Sequence, residues 1–524
     1  MIVQTITRKV SFTGDPLWVY DTLAGGRPHT ALFESPIGAG RRAEKSIVFL
    51  KNALCVKAKE REVTFEALTP GGRDVLASLI PALKETALEV IAEAGRLEAR
   101  YPERLAVGSD RERIKAPSPV DALRVLSSRW EMAGDDALAV HLPGVFSYDF
   151  LEQLEALPEA KTDRLDFPDF VFWLPEQVVI INHLKKTARL GVHCFSEGAD
   201  ARGAADAAAA HLESVLAACD EPRKMPAPLP LSFGKPTGIE DGVSVDLDDE
   251  AYASVVRTVK EHIVAGDVFQ IVPSRTFAAA CPDARAAYRV LRTLNPSPYL
   301  FYVSGDDFEL FGASPEAFVR VLGEPKTVEI HPIAGTRPRG RLSSGEVDHD
   351  LDNRLEADLR LDKKELAEHM MLVDLARNDV ARISRPGTRR VRRLSEVERY
   401  SHVMHLVSVI EGELEADLDA LHAYLASMNM GTLVGAPKIE AAKLLRKNEA
   451  DKRGPYGGAV GFMTSEGDME TAIIIRSAIV RNGMAHIRAG AGIVYDSDPV
   501  SEAIETSNKA GAVLKAIRLA KGGE

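Results

Sequence analysis

Leu361-Asp-Lys-Lys-Glu-Leu-Ala-Glu-His-Met-Met-Leu-Val-Asp-Leu-Ala-Arg-Asn-Asp-Val380 contains neither proline nor glycine and is rich in helix formers. It predicts a helix of about five turns. Leu366, Met370, Val373 and Leu375 recur at three- or four-residue steps, the spacing of a helix buried along one side. Glu365 and Glu368 are three apart and share a face, with His369 beside them. Asp498-Pro-Val-Ser-Glu-Ala-Ile-Glu-Thr-Ser-Asn-Lys509 repeats the device. There Asp498 suits a cap, Pro499 the first helical position, and Glu502, Glu505 and Lys509 one face. Such carboxylate pairs are commonly a solvated face. Two helices that each present one could instead hold a hard divalent cation, since Mg²⁺ takes one or two protein carboxylates plus substrate oxygens and water.

Outward from these helices, 524 residues allow two to four domains and a large core. Apolar residues at 45% and charged residues at 27% are ordinary for a globular chain. A net charge of -12 argues against a general nucleic-acid binder and against an anionic membrane surface. The four cysteines, Cys55, Cys194, Cys219 and Cys281, have neither metal nor disulfide spacing, so a reducing, cytoplasmic setting is expected. Neither an apolar leader segment nor a run of about 18 apolar residues is present.

The best candidate boundary is the proline-rich Glu221-Pro-Arg-Lys-Met-Pro-Ala-Pro-Leu-Pro230, which divides the chain into residues 1–225 and 240–524. In the first part, Thr30–Ser35 and Lys45–Leu50 predict strands around the glycine-rich Pro36–Gly40. Asp74–Arg100 predicts a helix interrupted at Pro81, Glu176–Asn182 a buried strand, and Ala199–Ala218 an alanine-rich helix.

In the second part, Asp248–Ala265 and Pro282–Leu294 predict helices, and Asp267–Phe277 and Tyr299–Val303 strands. A hairpin is expected around Gly312–Glu316, a loop at Ile333–Gly340 and a charged loop at Ser343–Asn353. Thr471–Val480 reads as one strand, and His486–Val494 as a strand whose Gly490 and Gly492 suit close approach to a ligand. Strands fall mostly in consecutive pairs. The expected class is therefore α+β, with mixed, largely antiparallel sheets packed face to face and helices outside.

No phosphate-binding P-loop, dinucleotide fingerprint or nucleophile elbow is present. What remains are polar residues at element ends: Glu316 after Ser-Pro, His405, the Gly431–Lys438 turn, Tyr456 before two glycines, and Arg476. Arg476 stands among Ile473-Ile-Ile and Ala478-Ile-Val, where a charge needs a buried partner or an anionic ligand.

From about residue 240 to 515 the chain closely resembles the chorismate-utilising enzymes. The matching segments are Asp267-Val-Phe-Gln-Ile-Val-Pro-Ser-Arg275, Gly312-Ala-Ser-Pro-Glu316, Pro332-Ile-Ala-Gly-Thr-Arg-Pro-Arg-Gly340, Lys364–Asp379, Gly431-Thr-Leu-Val-Gly-Ala-Pro-Lys438 and Gly490-Ala-Gly-Ile-Val-Tyr-Asp-Ser497. The N-terminal part matches more loosely, through Leu32-Phe-Glu-Ser35 and Lys45.

The resemblance implies conversion of chorismate and ammonia to anthranilate and pyruvate with Mg²⁺, at the entry to tryptophan synthesis. It implies Glu368 and Glu505 as metal ligands, with Glu365 and Glu502 behind them or bridged by water. Glu316 would be the acid for the departing C4 oxygen and His405 the group that removes the C2 proton. Tyr456 and Arg476 would bind the enolpyruvyl carboxylate, with Thr336, Thr432, Gly490, Gly492 and Lys509 also on substrate.

Isochorismate- and salicylate-forming members carry a lysine at the position of Gln270, and aminodeoxychorismate synthases one at Ala334. Both absences favour external ammonia and anthranilate. An aminodeoxychorismate synthase, or a silent tryptophan-binding homologue, are the alternatives. A glutaminase nucleophile is missing, so the resemblance implies a class I glutamine amidotransferase partner, two copies of each chain, and feedback inhibition by tryptophan. That inhibitor site would join Glu34, Ser35 and Lys45 to Asn295, Pro296, Ser297, Pro298 and Tyr299. Phe33 stands where the family more often has leucine.

Overall fold

The computed structural model describes residues 2–35, 45–104, 108–128, 130–133, 138–196, 200–217, 242–342, 346–400 and 403–522. The Pro36–Gly40 loop, the proline-rich boundary and Cys219 lie outside them. Among the described residues, 23 strands join one hydrogen-bonded sheet system, and a two-strand ladder pairs Gln270–Ile271 with Gly435–Ala436. The ladders are antiparallel except where Ile2–Val10 meets Glu131–Ala133. The expected α+β class, largely antiparallel, is the observed one.

The sheets are buried on both faces, and side-chain alternation shows how. Along Phe170–Asn182, Val171 and Trp173 enter one core while Phe170, Phe172 and Leu174 enter another. Along Tyr299–Ser304, Phe301 and Val303 join the first of these cores, while Leu300 and Tyr302 face a third. The shared core is built almost wholly from strand residues, whereas each outer core adds helices. Strand periodicity of two therefore sorts the chain into helix, sheet, sheet and helix layers. Double burial also explains the unbroken apolar run Val178-Val-Ile-Ile181, where one-sided strands would alternate with polar residues.

Several expectations need correction. The Pro70–Thr86 helix runs through Pro81, and a hairpin of Glu89–Glu93 with Arg96–Arg100 follows it. The missing proline donor is tolerated because Val75, Leu76, Leu79, Ala82 and Leu83 are buried around it. Glu309–Ser314 and Ala317–Leu322 do not form a hairpin. The first pairs with Tyr299–Ser304 and Ser477–Arg481, the second with Thr327–Ile330 and Met469–Ile473. Ser314-Pro315-Glu316 thus carries the chain between ladders.

Ile333–Pro338 is a strand paired with Val403–Glu413, the register shifting where Gly335 has φ 67°. His349–Leu361 is a helix capped by Asp348, and Arg390–Arg399 is an unexpected strand. Its arginines mask a strand pattern, and Arg390, Arg392 and Arg393 are paired with Glu411 and Glu398. Gln270–Ile271 and Ser274–Ala280 are separate strands, because Pro273 cannot donate to a ladder. Among the described residues no helix is long and apolar enough to cross a membrane.

Candidate active site

The first acidic helix spans Lys363–Ala381 and is capped by Asp362, whose side chain accepts from the N–H groups of Lys364 and Glu365. Arg337 holds this end by bonding Asp362 at 2.8 Å and Glu365 at 3.4 Å. The buried stripe is His369, Leu372, Val373, Ala376 and Val380; Met370, expected inside, is 46% exposed. That rotation turns Glu368 inward. Gln270 Nε2 donates to its carboxylate at 2.9 Å. Burial and then the neighbouring Glu365 push the Glu368 carboxyl above its ordinary range.

The second acidic helix, Pro499–Ala520, is capped by Asp498 as expected. Glu502 is buried on it, and Glu505 binds Lys509 Nζ at 2.7 Å with its side chain 48% exposed. Burial would raise Glu505, but Lys509, Arg476 and Lys364 outweigh it and hold the carboxyl low. Lys364 belongs to the first helix and also acts on Glu502, while Lys509 of the second acts on Glu368. The two acidic faces therefore share one electrostatic site.

Among the described residues, no three His, Cys, Asp or Glu side chains already cluster as metal ligands. Glu368 and Glu505 are nonetheless oxygen donors that feel the same two lysines, Lys364 and Lys509. Glu368 is held by a neutral amide, whose Oε1 is buried without a partner. A hard cation with water and substrate oxygens would relieve both the Glu365–Glu368 repulsion and that orphaned atom.

Glu316 is 7% exposed at the crossing between ladders. Thr432 Oγ1 donates to its carboxyl at 3.1 Å, and the Ser314 hydroxyl accepts from its backbone N–H at 3.3 Å. Burial without a cation pushes its pKa to about 8, so the group is mostly protonated at neutral pH. His405 lies opposite Thr336 in the ladder register. Its Nδ1 lies 3.0 Å from the Gly335 carbonyl and 3.1 Å from Thr336 Oγ1. A carbonyl only accepts, so Nδ1 carries the proton and Nε2 keeps a lone pair. Burial lowers the imidazole pKa and favours this neutral form. The chain thus carries a protonated acid at Glu316 and a neutral base at His405.

Arg476 breaks the expected Thr471–Val480 strand into Met469–Ile473 and Ser477–Arg481, with φ 51° at the break. Left-handed backbone is unusual for arginine and re-aims the residue while its carbonyl accepts from Ala313 N–H at 3.1 Å. Among the described residues its guanidinium has no ion pair or hydrogen bond. Burial lowers its pKa, with Tyr456 and Glu505 acting the other way.

Tyr456 is buried beside Gly490, where an added methyl would stand 3.2 Å from Tyr456 Oη and 2.6 Å from the Pro273 carbonyl. Lys509 Nζ donates to the Gly490 carbonyl at 2.9 Å. At Gly492 a methyl would meet Gln270 Nε2 at 2.8 Å. Both glycines hold backbone close to polar side chains.

Half of the residues expected around an inhibitor share one cavity. Phe33, Glu34, Ser35, Lys45 and Tyr299 line a cavity of about 660 Å³, together with Arg320, Asp468 and Glu470. Asn295, Pro296, Ser297 and Pro298 do not line it. Asn295 ends the Ala284–Leu294 helix and Pro298 accepts from Ser35 Oγ at 3.1 Å. The Glu34 carboxylate is already bonded by Arg292 at 2.6 Å and by Tyr288.

Sequence reasoning missed Lys364, whose charge spans the two helices, and the buried Glu449, Arg453 and Arg488 behind Tyr456. A signal for Arg488 was present, as a charge on the inward face of an apolar strand.

The model of the chorismate binding enzymes matches residues 83–515. Over 522 residues the chain is 43% identical to anthranilate synthase component 1 of Vibrio cholerae, covering 100% of this chain and 98% of that one. It is 43% identical to the Escherichia coli protein of that name over 518 residues, 99% and 97% of the two chains. Among solved structures, anthranilate synthase component I from Streptococcus pneumoniae superposes with a TM-score of 0.68 at 29% identity, over 90% and 92% of the chains. The menaquinone-specific isochorismate synthase of Escherichia coli shares the fold, with a TM-score of 0.63 at 18% identity over 98% and 94%. The chain therefore belongs to the chorismate binding enzymes, with the anthranilate synthase component 1 proteins.

Proposed function

We propose that the chain converts chorismate and ammonia to anthranilate, pyruvate and water. The observation that carries this reading is Arg476, a guanidinium with no partner among the described residues, set near Tyr456 and Glu505 in a site that also holds a protonated Glu316 and a neutral His405. Chorismate is a dianion with a ring carboxylate, an enolpyruvyl carboxylate and a C4 hydroxyl. Arg476 and Tyr456 receive the enolpyruvyl carboxylate by charge-assisted and phenolic bonds. Lys509, the Gly490 and Gly492 backbone and the Thr336 and Thr432 hydroxyls complete the cradle.

Glu316 gives its proton to the C4 oxygen as ammonia adds at C2, so water leaves rather than hydroxide. His405 Nε2 then removes the C2 proton as the C3 ether bond breaks. The ring becomes aromatic, and the released enolpyruvate takes up a proton to become pyruvate. Mg²⁺ would be held by Glu368 and Glu505, with Glu365 and Glu502 behind them, and would neutralise the ring carboxylate when bound. Ala334 offers no amine to attack the ring. Gln270 is committed to Glu368 and offers no lysine to activate water.

Glutamine-derived ammonia would come from a class I amidotransferase partner, two copies of each chain forming the assembly in the cytoplasm. Tryptophan would inhibit from the cavity at Glu34, Ser35 and Lys45. The test mixes the isolated chain with chorismate, Mg²⁺ and an ammonium salt at alkaline pH and follows anthranilate fluorescence. Turnover with ammonia but not with glutamine is expected, and Glu368→Gln should lower it at least ~100-fold because an amide is a poor Mg²⁺ ligand. Full activity of Glu368→Gln at saturating Mg²⁺ would remove that residue from the metal role.

A further inference from the structure

Behind the wall formed by Tyr456 and Gly490 lies a buried ionic cluster that the reaction above does not use. Glu449, Arg453 and Arg488 are respectively 5%, 2% and 8% exposed. Arg453 binds both Glu449 oxygens, at 2.9 Å through Nε and 2.6 Å through Nη2. Arg488 Nη2 adds a third bond at 2.9 Å, and Ser274 donates its backbone N–H and its hydroxyl at 2.9 and 2.7 Å. Two guanidinium groups on one carboxylate leave one positive charge in excess. Burying such a cluster costs several kcal/mol per ion unless every donor is satisfied, and most of these donors are.

The remaining Arg453 donors reach the walls of the site. Nη1 donates to the Leu433 carbonyl at 2.6 Å and Nη2 to the Val272 carbonyl at 2.7 Å. Leu433 follows Thr432, whose hydroxyl holds Glu316. Val272 precedes the Pro273–Ser274 backbone against which Gly490 is packed. The guanidinium carbon lies 4.4 Å from the Tyr148 ring centroid and 5.8 Å from that of Tyr456. One side chain therefore touches the segments that present Thr432 and Tyr456 and the Val272–Ser274 backbone against which Gly490 packs. A lysine has a single point of charge and could satisfy at most part of this set.

We propose that Arg453 is a positioning residue for the chorismate reaction, holding Thr432, Gly490 and Tyr456 in register, and that Arg488 supplies with it the excess positive charge behind the enolpyruvyl end. This rests on the chorismate reading above. A purely structural cluster would lower stability without a pattern in the kinetics; a positioning cluster divides kcat from KM.

In the ammonia-dependent assay of the full chain, Arg453→Lys is expected to lower kcat at least ~10-fold and to raise the chorismate KM. Arg488→Gln, which spares the contacts to Leu433 and Val272, raises KM several-fold with kcat within about two-fold. Arg453→Lys added to Thr432→Val costs less than about three-fold more in kcat, because both act through Glu316. Wild-type kcat and KM in Arg453→Lys, or a fully multiplicative loss in the double variant, overturns the proposal. If Arg453→Lys does not fold by circular dichroism, an unchanged chorismate KM in Arg488→Gln overturns it instead. Calorimetric chorismate affinity without ammonia reads the same positioning without turnover. A wild-type chain that binds chorismate but forms no anthranilate would sink the reaction and leave Arg453 to be judged by binding alone.

Discussion

Glu316 owes its chemistry to what is absent around it. A carboxyl beside a cation would be ionised at pH 7; here burial outweighs the single Thr432 hydroxyl and sets the pKa to about 8. The sign follows directly. The proton-donating form is present below that value and is lost as pH rises through it, so ammonia-dependent kcat at constant free ammonia should fall above about pH 8. Glu316→Gln keeps the shape and cannot donate. It should lower kcat by ~100-fold or more with a smaller change in KM, and it should abolish that alkaline limb. Persistence of the limb in Glu316→Gln would assign it to another group. His405 is the opposite case, an imidazole kept neutral by burial and given its tautomer by one backbone carbonyl.

At the scale of elements, the site is assembled where regular structure fails. Arg476 sits at a strand break, Thr336 next to a shifted register, and Glu316 at a crossing between ladders. Gly490 ends the Met484–Gly490 strand against the Pro273 carbonyl, at a distance no side chain can share. Gly490→Ala must push the two backbones apart, displacing the carbonyl that Lys509 binds. It should raise the chorismate KM at least ~10-fold and destabilise the fold by about 1–3 kcal/mol, as overpacking does. Kinetics and urea denaturation of the same variant read the two effects separately. Unchanged values in both would mean that the strand end relaxes freely.

At the scale of the whole molecule, the N-terminal part is woven into the catalytic sheets. Thr30–Glu34 pairs with Tyr299–Ser304, and His141–Phe146 pairs with Ala459–Thr464. The ion pair of Glu34 with Arg292 crosses the same divide, with both side chains inaccessible and Arg292 also bonded to Asp15. Breaking a buried pair from one side leaves a charge without compensation, so Arg292→Met should cost about 3–5 kcal/mol in chemical denaturation. Arg292→Lys should cost less. Glu34 of this pair also lines the cavity proposed for tryptophan. Ser35→Ala should weaken tryptophan inhibition and spare basal turnover with ammonia, which inhibition curves measure directly; equal inhibition would move tryptophan elsewhere.

The sequence by itself determined the two acidic helices, their caps and the carboxylate spacing, because helix periodicity and capping are local properties. It also held the motif segments that identify the family, and the oddity of Arg476 among isoleucines. Tertiary structure decided that Glu365 and Glu368 share an electrostatic site with Glu502 and Glu505, and that Met370 faces out while Glu368 faces in. It also decided that the expected hairpin at Glu316 is a crossing and that the expected loop at Ile333–Gly340 is a strand. These features depend on which distant strands pair, and pairing is chosen by burial on both faces of a sheet, a quantity that no local window contains. The Arg453 cluster was hidden for the same reason: its meaning lies in the Leu433 and Val272 carbonyls that folding brings to it, and carbonyls carry no signature in a sequence.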